Sequence, residues 1–131
     1  MVRSGDILHW IGWADRVETM TSLAGFEALL RGKATGVHGL PFYAGWGLTD
    51  DRLPIERRTR RITLDMLVAA ALILYPFYIH PLSGMPCRPE EIVGAFSANR
   101  SRKTSPGHAI VTFVAQRVNR VAVKLRDGRL K

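Results

Sequence analysis

A hydroxyl pair, Thr21-Ser22, and the loop from Gly39 to Arg52 carry the residue types in this sequence best suited to holding a ligand. The loop reads Gly-Leu-Pro-Phe-Tyr-Ala-Gly-Trp-Gly-Leu-Thr-Asp-Asp-Arg. Glycine at 39, 45 and 47 permits left-handed backbone or the close approach of another group. Pro41 fixes its own φ and holds Leu40 extended. Tyr43 and Trp46 offer flat apolar faces with a polar tip, suited either to stacking on a planar ligand or to plugging the loop onto a core. This mixture predicts a shaped loop that holds something, not a solvated turn.

Thr21-Ser22 precedes a helical apolar period, where unpaired amides and the helix dipole favour an anion. The same pair also serves as an ordinary N-cap. Glu27, in the second turn, would accept two ribose hydroxyls or pair with Arg31 at i, i+4. The run Glu56-Arg57-Arg58-Thr59-Arg60-Arg61 supplies guanidiniums that match carboxylate and phosphate bidentately, with Arg57 as the candidate contact. Runs of charge are more often solvated faces. Asp50 and Asp51 suit turns and caps better than a magnesium site, so no metal is expected.

These groups need elements that bring them to one edge. Arg16–Met20 predicts a short strand, and Thr21 or Ser22 caps a helix whose apolar face is Phe26, Leu29 and Leu30, stopped at Gly32. Ala34–His38 predicts a second strand entering the loop. Strand, helix, strand in this spacing is a βαβ unit with a parallel sheet. Ligands bind such sheets at the carboxyl ends of the strands, where both Thr21-Ser22 and the Gly39–Arg52 loop fall. Downstream, Thr63 caps an apolar helix ending before Pro76. Pro76–Pro86 is a connector, and Pro89-Glu90-Glu91 opens another helix with Ile92, Val93 and Phe96 on its apolar face. Asn99–Gly107 reads as a polar linker. Apolar residues at 111, 114, 118, 121 and 125 predict a basic amphipathic helix. The sequence thus divides at 98/99, into a partial α/β domain and a basic linker with an amphipathic tail.

At 131 residues with 47% hydrophobic content, the chain can bury a real core. The net charge of +8 is uneven: residues 1–98 hold ten Lys/Arg and ten Asp/Glu, whereas residues 99–131 hold nine Lys/Arg and only Asp127. A neutral body with a basic tail does not describe a nucleic-acid-binding domain, and Phe113 is the tail's lone aromatic, so no specific nucleic acid is expected. Cys87 is the single cysteine, which excludes an internal disulfide. The longest apolar run, Leu67–Tyr78, contains Pro76 and is too short to span a bilayer. With no secretory signal legible, a cytoplasmic location is expected, with the tail able to lie on an anionic membrane surface.

Thr21–Lys33 followed by Gly39–Thr49 resembles the capsular polysaccharide biosynthesis/export family of the KpsC/LipB type. Asp51-Arg52, Arg57–Arg61 and Ala69–Pro76 extend the likeness, which runs from about Asp15 to Val93. The resemblance implies a retaining β-Kdo glycosyltransferase that uses CMP-β-Kdo on a lipid-linked acceptor and needs no cofactor. It also implies a glycosyltransferase B-type fold, of which this chain matches part of the C-terminal, donor-binding half as a partial Rossmann-like sheet with flanking helices. Under that resemblance Thr21, Ser22, Glu27, Gly39, Pro41, Tyr43, Gly45, Trp46 and Arg57 are the donor-binding candidates. The first half, with the family's aspartate nucleophile, has no counterpart here, so no catalytic residue is assigned and the chain is not expected to be active alone. A second chain carrying that half is the implied partner, and the inner face of the inner membrane the implied site. His38 before Gly39 and Thr35-Gly36 in the second strand depart from the pattern. Met1–Trp13 and residues 99–131 show no likeness. Two other readings remain open: a non-enzymatic basic module on membranes, and an inactive truncated remnant.

Overall fold

The computed structural model describes residues 7–98 and 107–129. Two compact units divide the chain, one through Leu64 and one from Asp65.

The first unit is built on a three-stranded parallel sheet in the order β1 (Arg16–Thr19), β2 (Ala34–Val37), β3 (Asp50–Asp51). The βαβ unit forms as the sequence predicts, with α2 (Leu23–Leu30) as the crossover. Ser22 caps α2, its Oγ accepting from the Ala24 amide at 3.2 Å. Gly32 ends the helix at φ +71°, with its amide on the Leu29 carbonyl and the Lys33 amide on that of Ala28, a Schellman closure. Phe26, Ala28, Leu29 and Leu30 are buried on one side of this core, with Val37 of β2.

Two features were not legible. β3 pairs Asp50 with Gly36 and Asp51 with Val37, although a two-residue strand carries no alternation to read. A helix, α1 (Ile7–Trp13), precedes β1 where the sequence offered only tryptophans; Leu8 and Ile11 are its buried pair, and Lys33 Nζ donates to the Gly12 carbonyl at 2.8 Å. Thr35-Gly36 does not prevent β2 from forming. Thr35 is buried, and the missing Cβ at Gly36 makes room for Glu18, whose carboxylate would lie 2.1 Å from it. There Glu18 accepts from Arg16 Nε at 2.5 Å and lies 2.8 Å from His38 Nε2, and these partners hold its carboxyl below the ordinary value.

The second unit is helical. α3 (Leu64–Ala69) runs into a π-helical turn over Ala70–Leu74, where the Tyr75 amide reaches back five residues to the Ala70 carbonyl at 3.0 Å. The sequence predicts a continuous helix here, because a wider turn leaves no signature in an apolar run. A small antiparallel bridge, Ile79 with Pro86, closes the connector, and α4 (Pro89–Ala98) begins at its proline. Glu91 Oε1 accepts from the Arg88 amide at 3.2 Å, reaching back as in a capping box. α5 (Gly107–Arg126) confirms the amphipathic tail as helix, with Val118 and Val121 buried; the expected linker before Gly107 lies outside the described residues.

Compact packing divides the chain at 64/65, whereas composition alone suggests 98/99. Charge composition marked 99–131 as a separate tail, but α5 packs against α4 and the π-helical turn. Its cations also close on Asp65: Arg117 Nη2 lies 2.6 Å from Oδ1, and Lys124 Nζ meets Oδ2. Part of the tail's charge is therefore spent inside its own unit.

Asp65 is partly buried, and the Lys124 hydrogen bond, assisted by Arg117, holds its carboxyl below the ordinary value despite burial acting upward. A depressed carboxylate stabilises fully above its unfolded value of about 4 and loses that contribution as pH falls through the lower folded value. The thermal stability of the wild type is thus expected to fall as pH drops below about 4. Asp65→Asn should unfold earlier at neutral pH and show a flatter profile across that range. Equal slopes for the two proteins would remove Asp65 as the cause.

Candidate functional site

The carboxyl edge of the sheet collects the turn after β1, the loop after β2 and the segment after β3. Main-chain bonds tie them together: His38 N to Thr19 O at 2.9 Å, Gly39 N to Met20 O at 3.1 Å, and Arg52 N to Val37 O at 2.8 Å. Gly39 is required by proximity. A Cβ there would lie 2.7 Å from both Met20 O and Thr21 Cγ2, closer than carbon atoms tolerate. The loop consequently crosses directly over the residues that open α2.

Tyr43 anchors the loop to the same helix. It is fully buried, its hydroxyl donating to the Ser22 carbonyl at 2.5 Å, and burial pushes the phenol's pKa up. Gly25 makes that reach possible, since a Cβ there would stand 2.4 Å from the Tyr43 hydroxyl. Phe26 and Phe42 pack beside it, with ring centroids 5.0 Å apart.

Beyond Tyr43 the loop turns twice through left-handed glycines, Gly45 and Gly47, both at φ +77°. Asp51 supports the turns from β3, accepting from Gly45 N at 2.8 Å through Oδ2 and from Thr49 Oγ1 at 2.7 Å through Oδ1. Arg58 clamps the other side. Its Nη1 donates to the carbonyls of Pro41 at 2.8 Å and Ala44 at 2.5 Å, and its guanidinium lies 5.2 Å from the centre of the Trp46 ring. Burial, then Arg57, pulls the Arg58 pKa below its ordinary value, yet a guanidinium stays charged at neutral pH. Trp46 is half-buried and donates from Nε1 to the Phe42 carbonyl at 2.8 Å. Next to this loop, after the carboxyl end of β3, opens a cavity of about 460 Å³ with Arg52, Arg58, Arg60 and Arg61 in its wall.

Residues 1–84 match the family model for capsule polysaccharide biosynthesis proteins. This chain belongs to that family. The capsule polysaccharide modification protein LipA of Neisseria meningitidis serogroup A is 66% identical over 76 residues, covering 58% of this chain and 11% of LipA. The lipopolysaccharide-processing protein LpsZ of Rhizobium meliloti is 66% identical over 64 residues, covering 49% of this chain and 14% of LpsZ. Two solved structures of Thermosulfurimonas dismutans KpsC are also similar. The β-Kdo 2,4 transferase is 45% identical with a TM-score of 0.64, covering 67% of this chain and 27% of that one. The β-Kdo 2,7 transferase is 43% identical with a TM-score of 0.67, covering 70% and 31%. The chain therefore spans between 11% and 31% of the length of these relatives. The family match begins at residue 1, so Met1–Trp13 falls inside it although no motif there was recognisable.

The capsule-family chain places its candidate residues in two groups. Thr21, Ser22 and Gly39 lie together at the opening of α2, with Thr21 and Ser22 exposed. Gly45 lines the arginine cavity; Arg57 does not, and is exposed outside it. The inward member of the run is Arg58, one position on, selected by its reach to the loop carbonyls. Pro41 is buried and supplies one of those carbonyls. Tyr43, left open between stacking and plugging, is a plug: a ring with no exposed surface has no face for a ligand. Trp46 has one face taken by Arg58. Glu27 is 5% exposed, so it is not a solvated helix charge, and Arg31 Nη1 donates to its main-chain carbonyl at 3.0 Å. Arg60 and Arg61, members of the run read as candidate anion contacts, line the cavity; Arg52, in the turn that leaves β3, was not singled out.

Proposed function

We propose that this chain forms the donor-binding part of a β-Kdo transferase module in capsule polysaccharide biosynthesis, with the nucleotide of CMP-β-Kdo held at the carboxyl edge of the sheet. What carries the reading is the opening of α2: an exposed Thr21-Ser22 turn under a loop whose Gly39 cannot be enlarged. Amides at a helix start favour a phosphate, and open parallel sheets bind ligands at this edge. The likeness to β-Kdo transferase structures at 45% and 43% identity supports the choice of sugar. Glu27 would receive the ribose hydroxyls, and Trp46 would border the site. The nucleophile and the face for a lipid-linked acceptor belong to the remaining length of such a transferase, so turnover by this chain by itself is not proposed.

Titration of the ¹⁵N-labelled chain with CMP tests this. Saturable shifts are expected at Thr21, Ser22 and Ala24, with weaker binding in Ser22→Ala and Glu27→Ala samples that retain dispersed spectra. CMP affinity unchanged by both substitutions would remove the assignment.

A further inference from the structure

We propose that the arginine cavity beyond β3 is a second, separate subsite, which takes the carboxylate of an anionic sugar residue. This rests on the reading of the chain as a handler of an acidic sugar, but not on where the nucleotide binds.

The cavity is about 460 Å³, the size of a small-ligand pocket, and opens after the carboxyl end of β3, on the edge where such sheets bind ligands. Its wall contains Arg52, Arg58, Arg60 and Arg61 against one acid, Asp51. Asp51 is held by Gly45 N and Thr49 Oγ1, and its single charge offsets only part of the four guanidiniums. Among the described residues, no ion pair engages Arg52, Arg60 or Arg61. Three arginines of the wall thus have no ion-pair partner among the described residues, beside a fourth that is fixed by two loop carbonyls. Arginine forks match a planar carboxylate bidentately.

The floor is built to let these side chains in. A Cβ on Gly45 would lie 3.1 Å from Arg58 Cδ, and one on Gly47 3.0 Å from Arg61 Cγ. The two left-handed glycines therefore set the turn and also admit the arginine stems. The lining favours a sugar over a nucleobase: it includes Thr59 and four arginines but no aromatic residue on which a base would stack. None of Thr21, Ser22 or Gly39 lines it, which separates it from the nucleotide position.

The test is a parallel NMR titration of the full chain with free Kdo, CMP and inorganic sulfate. Kdo is expected to shift Gly45, Gly47 and Thr59 amides, and CMP those of Thr21 to Ala24. Arg52→Gln/Arg60→Gln, changed at two exposed positions, should weaken Kdo by about tenfold or more, as for the loss of one charge-assisted hydrogen bond, and leave CMP unaffected. Kdo affinity unchanged in that variant would overturn the subsite, as would sulfate giving the same shifts with equal affinity. If CMP moves nothing while Kdo still shifts the cavity, the nucleotide reading falls and the anionic-sugar subsite stands.

Discussion

Tyr43→Ala is expected to destabilise the first unit by about 3–5 kcal/mol, the range for truncating a buried aromatic. Tyr43 has no exposed surface, stacks beside Phe26 and Phe42, and donates its hydroxyl to the Ser22 carbonyl. Truncation would open a cavity between the loop and α2, and would leave the Ser22 carbonyl with the Gly25 amide alone. Tyr43→Phe separates the two contributions, because it keeps the ring and loses only the hydrogen bond, at about 1 kcal/mol. Urea unfolding followed at the Trp46 indole resonance reads both variants. A Tyr43→Ala midpoint equal to that of the wild type would mean that the ring is not the anchor of the loop.

Gly39→Ala should cost about 1–3 kcal/mol and abolish CMP-dependent shifts at Thr21 and Ser22. The clash is with backbone, not with a flexible side chain: the new Cβ would meet Met20 O at 2.7 Å, and that carbonyl is the acceptor for the Gly39 amide itself. Relief requires the loop to lift from the turn after β1, which breaks this bond and moves the roof of the proposed nucleotide position. Gly12→Ala is the control, a glycine of the same unit without positive φ where a Cβ meets nothing. Similar stability for the two alanine variants, or CMP shifts preserved in Gly39→Ala, would show that close packing at residue 39 does not shape the edge.

Much of the arrangement follows from local chemistry and was legible without coordinates. Ser22 and Gly32 bracket α2 because an N-cap oxygen and a left-handed glycine act within one turn of their own position. Pro76 and Pro89 mark helix limits for the same reason. The βαβ order, and with it the edge that gathers Thr21-Ser22 and the Gly39–Arg52 loop, follows from chain order and the handedness of crossovers.

Other assignments needed the fold, because they depend on partners distant in sequence. Arg58 rather than Arg57 faces the loop because it alone of the two is placed to reach the carbonyls of Pro41 and Ala44, 17 and 14 residues away. Asp65 gathers Arg117 and Lys124 from 52 and 59 residues downstream, which turns a basic tail into part of a packed unit. Tyr43 became a plug only once Gly25 was seen to leave space for its hydroxyl. Periodicity and capping report forces that act within a few residues, and these the sequence determined by itself. Which arginine turns inward, and whether a ring stacks or plugs, is set by non-local packing and desolvation, and was decided by the tertiary structure alone.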